Sequence, residues 1–375
     1  MRIAAISNSR IPSVTANSIQ AMKVCDALAQ NGHDVRLIVP VEGRPASWTD
    51  LARHYGIRNP FELRRLPSVR FLRRLDFVWY AHAAAKSFRA ELTYTWLPQT
   101  AAFEAWLGKP VVLEMHADAA GLLGAWWLRR YCAGSGKRRL LVTTHGLRTA
   151  LERSTGMEFE DELVRLEPNG VDLARYVNLP WPEEARAQLQ LHPGLTAGFT
   201  GHFYAGRGIE LLFELARALP SLNFLWVGGT PEAVREWRGK LEAAGLENVT
   251  LTGFVENSRL SLYQAAADIL LMPYGSAIAS SSGQDIAEVI NPMKMFEYMA
   301  AGRAIITADL PAIREVLDES MAVFCPPGDL ASWKTAIMQL TAEAGRRVAL
   351  AENARRRVEN YTWTARARRG IAGFE

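Results

Sequence analysis

Short apolar runs alternate with amphipathic helical stretches along this chain, and the alternation occurs twice. That pattern is the signature of a parallel sheet covered by helices on both faces. The first series opens with RIAAIS and a helix from about Ser18 to Gln30, with Ile19, Met22, Cys25 and Leu28 on one face. Gly32 stops that helix, DVRLIVP follows as a strand, and ELTYTW, PVVLEMH and LLVTTH continue the series. The second begins near Leu195 with TAGFTG and runs through NFLWVGG, VTLTGF, DILLMPY and AIITA. Between them PNGVDLARYVNLPWPEEARAQLQLHPG has the composition of a linker, which puts the boundary near residues 175 to 195. The expected class is α/β, with two doubly wound units.

Composition agrees with that plan. A chain of 375 residues, 49% hydrophobic and 22% charged, is long enough for two domains and too apolar to be disordered. No apolar stretch reaches the roughly 18 residues of a membrane span, and MRIAAISNSR is too polar for a signal-peptide core, so cytoplasmic residence is expected. The net charge of +4 suits an anionic partner without naming one. Cys25, Cys132 and Cys325 are far apart and form no CxxC, so neither a disulfide framework nor a thiolate metal site is expected.

Ligands of doubly wound sheets sit beyond the carboxyl ends of the strands. The loop after the first strand, NSRIPSVTANS, contains no glycine, and a Walker A loop is absent, so a phosphate site belongs in the second half. There, TAGFTG leads into HFYAGRGIELLFELARAL, with Gly201, Gly206, Gly208 and Arg207 ahead of a helix. Glycines let amides approach an anion, a helix N-terminus orients N–H groups and the arginine adds charge; the same glycines also serve ordinary turns. NPMKMFEYMAAGRAIITADLP reads as a helix begun at Pro292 and ended at Gly302, leading into a buried strand. Lys294 and Glu297, three apart, also fit a solvated ion pair.

Taken together these segments resemble the retaining glycosyltransferases of family 4, also called group 1. The resemblance rests on NSIQAMKVCDALAQNGHDV, VVLEMHAD, EPNGVD, TGHFYAGRGIELL and, most specifically, NPMKMFEYMAAGRAIITADLPAIREVL. It implies the GT-B fold, two facing Rossmann-like domains with an interdomain cleft, an acceptor-binding domain over 1–185 and a nucleotide-sugar domain over 186–358. The closing segment 359–375, in which Trp363 packs, is then expected to return to the first domain and help set a hinge.

By the same resemblance Arg207, assisted by Lys294, meets the donor diphosphate, and Glu297 accepts from the ribose hydroxyls. Gly201 belongs to the phosphate loop, and Gly228, Gly229 and the Gly253–Val255 turn, with Phe254 and Val255, lie beside the nucleobase. His116 lies near the transferred sugar, and Asp118 either orients the acceptor or caps a helix. The family's usual first carboxylate falls on Val289, which leaves Asp285, Glu288 and Asn291 as candidates for sugar contacts. In the first loop Thr15, Ala16, Asn17 and Ser18 replace the family's two glycines; Asn17 and Ser18 are expected to cap the next helix, with its N-terminus open to an anion.

Retention without a protein nucleophile is implied, the departing phosphate taking the acceptor's proton, with no metal or other cofactor required. None of the 12 Asp forms a DxD motif. The basic, aromatic runs FELRRLPSVRFLRRLDFVWY and AWWLRRYCAGSGKRRL suit peripheral contact with an anionic membrane, and no nucleic-acid partner is expected. A nucleotide-sugar 2-epimerase or a non-catalytic nucleotide-sugar-binding scaffold of the same fold are the alternatives. The sugar, base, acceptor and oligomeric state are left open.

Overall fold

A computed structural model describes residues 1–42, 45–69, 75–119, 121–279 and 285–375, the side chain of residue 122 excepted. The chain divides into two units, Met1–Asn169 with Trp363–Glu375, and Gly170–Thr362. Both are α/β.

The first unit is a seven-stranded parallel sheet of β1 (Arg2–Ile6), β2 (Asp34–Pro40), β3 (Glu62–Leu66), β4 (Leu92–Thr95), β5 (Val111–Met115), β6 (Arg138–Val142) and β7 (Val164–Leu166). Their order is 3-2-1-4-5-6-7. β1 lies between β2 and β4, with Ile3 opposite both Val35 and Leu92. Its residues Ile3 to Ile6 are fully buried, as a strand covered on both faces requires. The first helix, Ala16–Gln30, starts earlier than its apolar face suggests. Thr15 is its N-cap, so Asn17 and Ser18 fall inside the first turn rather than capping it. Ser18 is buried there and its hydroxyl donates to Ser13 O and Thr15 O, both 2.9 Å away, whereas Asn17 is exposed.

The second unit repeats the winding with β8 (Thr196–Gly201), β9 (Asn223–Gly228), β10 (Val249–Gly253), β11 (Ile269–Met272), β12 (Ala304–Ala308) and β13 (Ala322–Cys325). The parallel order 10-9-8-11-12-13 again puts the first strand inside. Its core gathers Phe199, Trp226, Met295, Phe296 and Trp333. The order reverses beside β1 in one sheet and beside β8 in the other, and such reversals are where doubly wound sheets hold ligands.

The division falls at Asn169/Gly170 and Thr362/Trp363, not at the expected 185 and 358. Side chains decide this. Tyr176 is buried and donates to Gln264 at 2.8 Å, and Arg175 donates to Asn257 Oδ1 at 2.6 Å. Val171 donates to Tyr361 O at 2.9 Å, and the Tyr361 ring lies 5.2 Å from that of Phe296. Residues 170–185 and 359–362 therefore belong to the second unit. Among the described residues no helix is long and apolar enough to cross a membrane.

Candidate active site

In the second unit, β8 runs into a loop that bends through Gly201, Gly206 and Gly208, with φ of 142°, 77° and 83°. Gly208 then starts the helix Ile209–Ala218. A Cβ on Gly206 would overlap Ala277 O, and one on Gly208 would overlap Pro273 O, so the loop lies pressed against the segment that follows β11. Gly228 and Gly229, closing β9, are equally confined: a Cβ on Gly229 would sit 2.7 Å from the Phe203 ring. These glycines thus let one loop seat against its neighbours, whatever else they contact.

Two cations converge at this end of β8. Lys294, in the first turn of the helix Met293–Ala301, places Nζ 3.9 Å from the Phe199 ring centre and 5.4 Å from that of Tyr274. The Arg207 guanidinium lies 5.5 Å from the same Tyr274 ring. A Cβ at Gly201 would stand 2.8 Å from Lys294 Nζ, so glycine is also what admits the ammonium. Burial and then the charge of Arg207 push Lys294 well below the usual lysine range, against an opposing pull from Glu297. An anion placed here would relieve that repulsion.

Glu297 does not pair with Lys294 in solvent, as their spacing alone permitted. Its Oε2 accepts from Gln264 Nε2 at 3.1 Å. Gln264 is fully buried and in turn accepts from Tyr176 Oη at 2.8 Å, while Tyr298 Oη accepts from Thr200 N at 2.8 Å. Gln264, Tyr176 and Thr200 were missed from sequence, being polar residues without a motif. Phe254 is exposed just after β10, and Val255 packs partly against Leu225 and Val227 in a small apolar cluster. Asp285 Oδ1 accepts from Ile278 N at 2.9 Å and Ala287 N at 3.0 Å, bonds that hold its carboxyl below the usual range. Val289 is buried, Glu288 exposed and Asn291 buried.

In the first unit, β5 ends in Glu114 and Met115, and His116 follows it. Glu114 side-chain oxygens are wholly enclosed, whereas the His116 side chain is 29% exposed. His116 Nε2 lies 2.6 Å from Glu114 Oε1, and Gln20 Nε2 donates to the same oxygen at 2.6 Å and to Asn169 Oδ1 at 3.0 Å. Arg366 reaches both carboxylate oxygens, at 2.7 and 3.2 Å, and Tyr94 Oη donates to Oε2. Burial alone would raise the Glu114 carboxyl; Arg366 and His116 outweigh it and hold the group well below the usual range. Beside the VVLEMHAD segment that drew attention to His116, the acid within the otherwise apolar strand VVLEM was a sequence signal for this cluster. Asp118 accepts from Ala119 N at 2.7 Å, ahead of the helix Gly121–Cys132. Among the described residues no three His, Cys, Asp or Glu gather as metal ligands.

Comparison with known proteins agrees with both halves. A model of glycosyltransferase family 4 matches residues 18–175, and one of glycosyl transferases group 1 matches residues 194–343. The D-inositol 3-phosphate glycosyltransferase of Xylanimonas cellulosilytica is 30% identical over 237 residues, 57% of this chain and 54% of that protein. The phosphatidyl-myo-inositol mannosyltransferase of Mycolicibacterium smegmatis is 27% identical over 208 residues, 52% of this chain and 48% of that protein. The chain thus spans about half the length of these relatives. In fold it is similar to Anabaena HepE solved with UDP, with a TM-score of 0.74 and 16% identity over 98% of each chain. A sucrose-phosphate synthase from Thermosynechococcus elongatus gives 0.75 and 19%, over 98% of this chain and 96% of that one. With one motif-bearing half matched by each family model and the glycine loop and the P-x-K-x-x-E helix both in place, this chain belongs to the group 1, or family 4, glycosyltransferases.

Proposed function

We propose that this protein is a retaining transferase that moves a hexose-type sugar from a UDP- or GDP-linked donor to a glycan, lipid-linked or small-molecule acceptor. The observation that carries the reading is the meeting of Arg207 and Lys294 on Tyr274 at the carboxyl end of β8, above the glycine loop. Arg207, with Lys294 whose ammonium form an anion would favour, suits a diphosphate leaving group, and preorganised charge of this kind stabilises the bond as it breaks. Glu297, aimed by Gln264, takes the ribose hydroxyls, because a carboxylate offers two acceptor oxygens to neighbouring donors. The base lies beside Gly228, Gly229, Phe254 and Val255. His116 acts at the transferred sugar, and the departing phosphate takes the acceptor's proton, so neither a protein nucleophile nor a metal is needed. HepE, of similar fold, has been solved with UDP-glucose, which supports a nucleotide-sugar donor.

Peripheral contact with an anionic membrane at the inner face of the cell is part of the same proposal. It is supported by the exposed Trp79, Tyr80, Trp106 and Trp126 of the first unit and by Arg130, whose guanidinium lies 5.2 Å from the Trp126 ring. Part of the basic run that first suggested it, residues 70–74, lies outside the described residues.

The deciding experiment is a thermal-shift and calorimetric screen of UDP, GDP, ADP and their sugars, since a ligand that binds only the folded form raises its stability. One nucleotide family is expected to bind, unaffected by EDTA, and Lys294→Met to cut turnover by about 100- to 1,000-fold. Failure of every nucleotide to bind overturns the reading.

A further inference from the structure

The cluster around Glu114 does more than fill the core. Gln20, Tyr94, Glu114, Asn169 and Arg366 are all buried, and the His116 ring is their route to the surface. Oε1 of Glu114 faces Gln20, His116 and Arg366, and Oε2 faces Tyr94 and Arg366. Five contacts use the acceptor capacity of one carboxylate, so Glu114 has no lone pair with which to approach a substrate.

The hydrogen count then bears on the ring. Both hydrogens of the Gln20 amide are taken, one by Glu114 Oε1 at 2.6 Å and one by Asn169 Oδ1 at 3.0 Å. Gln20 Nε2 also stands 2.5 Å from His116 Nε2 and 3.4 Å from Nδ1, but with both amide hydrogens engaged elsewhere the hydrogen between His116 and the Glu114 carboxylate falls to Nε2. Nδ1 of the neutral ring is left as the acceptor. We propose that Glu114 is a positioning residue that fixes His116 in the Nε2–H tautomer, and that Arg366, from the closing helix, keeps Glu114 in place as a carboxylate to do so.

Arg366 suits that task. Its fork spans both oxygens, and two of its other three hydrogens go to Pro168 O at 2.9 Å and Glu167 O at 3.2 Å, so its orientation is over-determined. Burial acts against the charges of both partners, and each offsets that for the other. The inference rests on His116 acting at the transferred sugar only for its effect on turnover; the tautomer is independent of that reading.

The test is 15N NMR of histidine-labelled protein, with the His116 signal identified by its loss in His116→Ala. The wild-type neutral ring is expected to show Nε2 protonated and Nδ1 bare. In Glu114→Gln and Arg366→Gln the two nitrogens should average toward a mixture, with kcat reduced at least about 10-fold and donor nucleotide affinity unchanged. Arg366→Lys, which keeps the charge and loses the fork, should retain the wild-type tautomer and more activity than Arg366→Gln. If Arg366→Gln does not fold, Glu114→Gln and Arg366→Lys still decide the matter. A folded Glu114→Gln protein with an unchanged ring signal and kcat within about twofold of wild type overturns the proposal. Wild-type turnover in His116→Ala would sink the transfer role of the histidine instead, while leaving the tautomer assignment standing.

Discussion

At the scale of single residues, the glycines around β8 differ in what they tolerate. Gly208 and Gly302 both adopt left-handed backbone, with φ of 83° and 62°, but a Cβ at Gly208 meets Pro273 O whereas one at Gly302 meets nothing within 4 Å. Backbone strain alone costs about 1–3 kcal/mol, so Gly302→Ala should lose about 1 kcal/mol. Gly208→Ala must also move the 273–278 segment, and in urea titrations it should lose clearly more stability and lose nucleotide binding with it. Glu114 carries a prediction about acid. Its carboxyl lies below the ordinary value when folded, facing Arg366, His116 and Tyr94, so the unfolded chain takes up that proton first. The stability it contributes is complete above about pH 4.3 and declines as pH falls toward the folded value. Removing one partner of such a buried pair costs about 3–5 kcal/mol. The gap in urea midpoint between wild type and Glu114→Gln should therefore be wide at pH 6 and narrow toward pH 3; a constant gap would contradict this. Lys294 and Glu297 stood out in the sequence because a motif frames them. That one rests on Phe199 and the other on Gln264 was not legible, because those partners come from other elements.

Elements were the most legible level. The helix Met293–Ala301 lies between Pro292 and Gly302, where the breaker residues put it, with Pro292 just outside as the N-cap. The first helix was less so: Asn17 and Ser18 were expected as its caps, but it begins at Ala16 with Thr15 as the N-cap and Ser18 buried inside its first turn. Exposure of the tryptophans was legible only in part: Trp79 lies in a run read as membrane-facing, whereas Trp106 lies in neither such run. Trp79 of the helix Leu75–Ser87 is 65% exposed, and Trp106, ending the helix Pro98–Trp106, is 72% exposed. Phe103 lies near both, at 5.1 and 6.1 Å between ring centres. Exposed substitutions of this kind change stability by no more than about 0.5 kcal/mol. Trp79→Ser with Trp106→Ser should hence leave the melting temperature unchanged and weaken cosedimentation with anionic vesicles. If the wild type binds no vesicles at low or high salt, the membrane proposal falls.

On the scale of the whole molecule, one strand order is used twice, and the chain leaves the first unit at Asn169 and re-enters it at Trp363. The return is anchored by Arg366 on Glu114 and by Arg369, whose Nη2 donates to Glu167 Oε2 at 2.9 Å. Deleting residues 363–375 strips both buried acids of these partners. Hydrogen exchange should then rise across β4 to β7 while the second unit keeps its protection; equal loss in both would show that the segment serves the second unit as well. The sequence by itself determined most of the strands, though not β3, β7 and β13, and the parallel class of both sheets, because strand and helix periods are set by chain geometry within a few residues; the family was legible through the resemblance of its motifs. Only the tertiary structure decided where the units divide, which tryptophans face outward and how His116 is held. Those outcomes depend on which elements meet: Arg366 and Glu114 are 252 positions apart, and no local pattern in either segment encodes the other.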